Sequence, residues 1–180
     1  MSWMNSDGLY VKFGLEEGKS AVGGEYSKDG NIHEYEVTID YTEVQSATYA
    51  IVDGGAAPGP LGVVIPEGLR VTEVEVFTAT AFTSSGTIGS ATLSIGLKKK
   101  SDRSTELDHD GFTTASFVGG VFDTIGETTI VRTGTTGVGA LITGGSVISE
   151  DGVIVAANTA HASHPFTAGK AIVKIRGYYP

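Results

Sequence analysis

Apolar and polar residues alternate with a period of two along much of this chain, and no stretch sustains the 3.6-residue period of an amphipathic helix. The clearest run is Ile32 to Tyr41. There Tyr35, Val37, Ile39 and Tyr41 share one face, and Glu34, Glu36, Thr38 and Asp40 the other, as in a strand with one side on a core and one in water. Leu69 to Phe82 reads as a long strand whose apolar phase changes between Val71 and Val74, the signature of a bulge. Ala91, Leu93, Ile95 and Leu97 predict a strand leading to a basic loop, and Ala171 to Tyr178 predicts another at the end.

Shorter apolar pieces fill the intervals. Leu9, Val11 and Phe13 alternate with Tyr10 and Lys12, whereas Gly14 to Gly30 is polar and reads as turns at Gly23-Gly24 and Asp29-Gly30. Tyr49 to Val52 and Val63 to Ile65 are short strand candidates on either side of an irregular loop, Gly54 to Gly62, and Pro66-Glu67-Gly68 is a turn. Thr105 to His109 suits a helical turn, within a stretch from Ser101 to Gly120 that has little pattern. Ile125 to Arg132 and Gly139 to Thr143 read as strands separated by Gly134-Thr135-Thr136-Gly137. Val147-Ile148 and Val153 to Val155 flank the Asp151-Gly152 signal of a hairpin. Nine to eleven short strands with turns at this spacing predict an all-β sandwich or barrel, with residues 1–30 as an N-terminal arm or hairpin and 31–180 as the sandwich domain.

Composition sharpens this picture. The 180 residues suit one β domain, and 40% hydrophobic residues supply a core. The 26 glycines follow no G-X-Y period, so they mark turns and not collagen. With no cysteine there are no disulfides, thiolate metal sites or cysteine nucleophiles, which fits a bacterial cytoplasm. The first residues lack the basic and apolar regions of a secretory signal, and no apolar run approaches the roughly 20 residues that cross a bilayer. A soluble chain with no membrane partner is expected. A net charge of −9 argues against nucleic acid, since only Lys98-Lys99-Lys100 with Arg103 forms a basic cluster, and that run reads as a solvated loop.

Each candidate for chemistry lacks a member. His161 and His164 are three apart, a spacing that on a strand sends the rings to opposite faces, so loop histidines before Pro165 are expected. Asp108-His109-Asp110-Gly111 has the alternate aspartates of a calcium loop, but Phe112 follows the glycine and no Glu closes the loop; a solvated turn accounts for it. There is no G-x-S-x-G elbow, and Gly119-Gly120 and Gly137-Val138-Gly139 lack a phosphate-loop ending. Glu34 with Glu36, and Glu73 with Glu75, are neighbours on one strand and not carboxylates opposed across a cleft. Trp3, Tyr10 and Phe13 have the chemistry to stack on sugar rings, though Trp3 near a terminus reads better as an anchor into a neighbouring surface or into the chain's own core. No catalytic residue, cofactor or metal site is expected.

The chain resembles the small β-rich virion proteins of tailed bacteriophages, above all capsid decoration (cement) proteins. The resemblance rests on the run from Leu9 to Gly18, the strand His33 to Asp40, Pro66-Glu67-Gly68, the run Ala91 to Gly96, and Phe166 to Lys170 before the last strand. It implies a jelly-roll-like, non-enzymatic protein, made in the host cytoplasm and bound to the capsid surface, where it stabilises the head. The implied partners are the major capsid protein or another virion protein and further copies of the chain, as a trimer. A tail, neck or fibre component and a carbohydrate- or receptor-binding module are the other classes compatible with these residues. On this reading Trp3, Met4, Leu9, Tyr10, Val11 and Phe13 make inter-subunit contacts, because an extended arm can add strands to a neighbour's sheet.

Overall fold

The structure, a computed structural model, describes residues 2–4, 10–13, 24–29, 31–45, 50–51, 63–114, 123–135, 138–143 and 146–180. Twelve strands are named among them: β1 (Ser2–Met4), β2 (Tyr10–Phe13), β3 (Gly24–Asp29), β4 (Ile32–Asp40), β5 (Ala50–Ile51), β6 (Val64–Ile65), β7 (Arg70–Ser84), β8 (Ser94–Lys99), β9 (Glu106–Thr113), β10 (Thr128–Arg132), β11 (Gly152–Ala157) and β12 (Phe166–Tyr178). They form a seven-stranded sheet in the order β1-β2-β3-β4-β12-β7-β10 and a five-stranded sheet, β5-β11-β8-β9 with β6 also on β11. The chain is an all-β sandwich of two antiparallel sheets.

Alternation builds the shared core. The seven-stranded sheet turns Tyr35, Val37 and Ile39 of β4, Val74 and Val76 of β7, and Val173 and Ile175 of β12 inward. Ile95, Leu97, Phe112 and Ile154 of the other sheet, with Leu93 just before β8, meet them, all at 0% exposure. Each such side chain contributes about 1.5–3 kcal/mol relative to its exposed state. Phe82 and Phe166 pack edge to face, with ring centroids 4.9 Å apart, at one end of the β7–β12 ladder. Asp40 ends β4 by capping a 3₁₀ turn, Tyr41–Val44: its carboxylate accepts from Thr42 N–H at 3.1 Å while its own N–H donates to Glu43 at 2.8 Å. That turn takes Tyr41 out of the strand, where it is half-buried.

The phase change expected in β7 is a bulge. Arg176 stands opposite Glu73 but Gly177 opposite Val71, so Thr72 is the extra residue. Three further register shifts between Phe166 and Ala171 bend the other end of the same ladder. There Gly169 adopts φ +139°, and a Cβ on it would meet the Phe82 ring at 2.3 Å.

Four local expectations are corrected. Thr105 to His109 is not a helical turn, since residues from Glu106 on belong to β9, which pairs with β8. Between the Ile95–Thr113 and Leu97–Asp108 pairs β8 advances two residues and β9 five, and this wide bulge hides the alternation. Residues 139–143 form a turn and not a strand; Gly139 N–H donates to Phe112 C=O and Leu141 N–H to Gly111 C=O, docking the turn on the bulge. Val147-Ile148 does not hairpin with β11, because Ile148 bonds the backbone of Gly68 and Leu69 instead, while β11 pairs with β5, β6 and β8. Gly24 to Asp29 is a strand and not only turns, held between β2 and β4 by main-chain pairing. Leu9, the 54–62 loop and Gly119-Gly120 lie outside the described residues.

Candidate interaction surface

The outward face of the seven-stranded sheet carries a charge ladder centred on β12. Period-two alternation puts Lys170, Ile172, Lys174, Arg176 and Tyr178 on that face, and register ranks them against β4 and β7. Arg176 stands between Glu34 and Glu73, and Lys174 between Glu36 and Glu75. The Arg176 guanidinium donates Nε to Glu34 at 2.6 Å and Nη1 to Glu73 at 2.7 Å, with Nη2 2.9 Å from Glu75. Lys174 Nζ lies 3.4 Å from Glu36 and 4.0 Å from Glu34. The Glu34 hydrogen bond pushes the guanidinium pKa further up, Glu73 adds to it, and partial burial opposes both. Four carboxylates thus share two cations, and the ladder keeps two negative charges in excess.

An apolar rank runs beside the charges. Ile172 stands opposite Phe77, which stands opposite Thr128, and Ile130 of β10 is 43% exposed. At the far end Ile32, 57% exposed, stands opposite Tyr178, and the Arg70 guanidinium lies 5.8 Å from the Tyr178 ring centroid.

The N-terminal strands extend this sheet. β1 to β4 form a meander without register shifts: Trp3 stands opposite Val11, Val11 opposite Ser27, and Ser27 opposite Glu34. Met4, Tyr10, Lys28 and His33 make the adjacent rank, and Phe13, Glu25 and Glu36 another. Five of the six contact residues expected from the sequence fall on β1 and β2.

Arg176 and Lys174 were missed as site residues; their period-two spacing on the last strand was the available signal. The other sequence candidates resolve into local structure. Lys99 lies 2.6 Å from Glu150 and Lys100 3.2 Å from Asp151, so both of these cations of the basic run are paired within the fold. The Asp151 carboxyl is held below its ordinary pKa first by the Glu67 backbone N–H and then by Lys100. His164 Nδ1 accepts from Thr87 N–H at 3.1 Å and His164 C=O from Asn158 Nδ2 at 2.8 Å, a clamp between two loops. The Nδ1 of His161 is buried with no hydrogen-bond partner among the described residues.

Asp108 and Asp110 sit together in the β9 bulge, with His109 Nδ1 2.8 Å from Glu106. Burial raises the Asp108 pKa, and the adjacent Asp110 carboxyl raises it further. Among the described residues no group of three or more His, Asp or Glu is arranged to hold a metal ion, and no helix is long and apolar enough to cross a membrane. Comparison with protein-family models, with curated proteins and with solved structures finds no match.

Proposed function

We propose that this chain is a non-enzymatic virion protein of a tailed bacteriophage, a jelly-roll-like decoration protein that lies on the capsid and stabilises it. The observation that carries the reading is the N-terminal meander: β1 to β3 continue the seven-stranded sheet outward from β4, and their close contacts run strand to strand along that sheet. A sheet extended by strand pairing gains stability when another surface covers it. The charge ladder supports the same reading, since a solvated, ion-paired face suits a protein that is itself an outer layer. A protein present in many copies on a lattice holds through repeated weak contacts and needs no reaction centre.

Electron microscopy and mass spectrometry of purified particles of the encoding phage test this. The expected result is density on the outside of the head that is lost when residues 1–14 are deleted. Particles that lack the chain would overturn the proposal, and density on the tail or its fibres would replace it with the tail-component reading.

A further inference from the structure

Charge on the outward face of the seven-stranded sheet is sorted by strand. β4 presents Glu34 and Glu36, β12 Lys174 and Arg176, and β7 Glu73 and Glu75. β10 presents Arg132 and Ile130, on either side of the buried Val131. Across these four adjacent strands the sign therefore alternates: negative, positive, negative, positive. The register puts Glu34, Arg176, Glu73 and Arg132 in one rank, and Ile172 beside Phe77 two ranks along. The pattern is incomplete within one copy. Arg132 stands opposite Glu73, but Glu73 is taken by Arg176 at 2.7 Å, and the exposed Arg132 makes no ion pair among the described residues. The ladder meanwhile keeps its surplus of carboxylates.

We propose that this face pairs with the same face of a second copy, about a two-fold axis that runs along the strands midway between β12 and β7. Such an axis exchanges the strands on either side of it and lays every rank over itself. β12 then covers β7 of the other copy and β10 covers β4, positive on negative. Arg176 comes over Glu73, Lys174 over Glu75 and Arg132 over Glu34. The unpaired cation of each copy thus meets a surplus carboxylate of the other. Ile172 comes over Phe77 and adds an apolar contact beside the charges. An axis across the strands would lay each stripe on its own sign, so the charge pattern selects the first. Sheets packed face to face lie about 10 Å apart with strands within about 30°, a gap that Arg and Glu side chains span together. Four strands about 4.8 Å apart and roughly eight residues long oppose about 500 Å² per copy. That is the size of a weak, reversible contact, which leaves the face solvated in dilute solution. The proposal concerns copies of this chain alone and stands or falls independently of a virion role.

Sedimentation equilibrium of the full chain up to about 500 μM should show a monomer–dimer equilibrium with a Kd of about 10–100 μM. Arg132→Glu should weaken it at least about tenfold with an unchanged far-ultraviolet circular dichroism spectrum. Lys100→Glu, an equal change of net charge beside the other sheet, should leave it within about twofold. Because the chain has no cysteine, one engineered thiol reports only on its own position. The axis brings the two copies of residue 172 to about 11 Å between Cα atoms. A bismaleimide of that span should link Ile172→Cys copies and leave Ser101→Cys, exposed on the β8–β9 loop, unlinked. A wild-type chain that stays monomeric, or one that forms a trimer, would overturn the proposal. So would a dimer that Arg132→Glu and Lys100→Glu weaken equally, or one that links through residue 101 and not through residue 172.

Discussion

β11 and β12 hold equivalent places, each near the middle of its own sheet, yet they meet opposite surroundings. All six residues of β11 are buried, Val153, Val155 and Ala157 on one face as completely as Ile154 and Ala156 on the other. β12 buries one face and exposes to water a ladder of ion pairs on the other. The same main-chain pairing thus serves two ends. A strand covered on both faces is an uninterrupted apolar run, while a strand covered on one alternates and has a second face free for other work. Gly96 on β8, beside β11, shows how tight the covered side is: a Cβ there would fall 2.1 Å from the Asp108 carbonyl oxygen.

The largest effect is expected from placing a charge on each strand's second face. Val155→Asp should abolish cooperative folding, since an unpaired buried carboxylate costs several kcal/mol, about 3–5. Ile172→Lys, which places a charge on the corresponding face of β12, should stay within about 1 kcal/mol; urea denaturation that finds equal losses would erase the distinction. Next, Phe166→Ala should cost about 3–5 kcal/mol by leaving a cavity against Phe82.

A smaller loss, about 1–2 kcal/mol, should follow Arg176→Met, which leaves Glu34, Glu73 and Glu75 without their shared cation. That loss should be greatest at low ionic strength and shrink with added salt, as carboxylate repulsion is screened. The smallest effect concerns the β9 bulge. A carboxyl whose pKa is raised in the fold favours folding while protonated, below its unfolded pKa, and loses that contribution as pH rises through the folded value. Asp108→Asn should therefore raise the melting temperature slightly at neutral pH, with the difference vanishing in acid. Asp102 has the opposite sign: its pKa is lowered to about 2, first by the Thr105 hydroxyl and then by the Ser104 and Thr105 N–H groups, so its contribution is lost only as pH falls towards that value.

Strands with one wet face were legible in the sequence because water imposes the alternation. β4, β7 and β12 appear with their faces assigned, and the Thr72 bulge shows as a phase change. β9 was not legible, because its polar residues, Glu106, Asp108, His109 and Asp110, fall around a bulge that breaks the period. β3 was missed because no apolar stripe marks it; its place depends on neighbours on either side. On the candidate surface, the Glu34–Glu36 and Glu73–Glu75 pairs could be read as a solvated face. Their bridging by Lys174 and Arg176 could not, since it depends on β12 lying between β4 and β7.

The position of β12 also bears on how the molecule is made. This strand follows all the others in chain order, yet it fills the gap between residues 32–40 and residues 70–84. During vectorial synthesis β4 and β7 emerge long before the element that joins them. Each must wait with an unpaired flank beside a half-exposed apolar face, the state in which β-rich chains stray into intermolecular pairing. Closure of the seven-stranded sheet is thus a late, long-range event, and the ribosome sets its earliest moment at the emergence of residues 166–178.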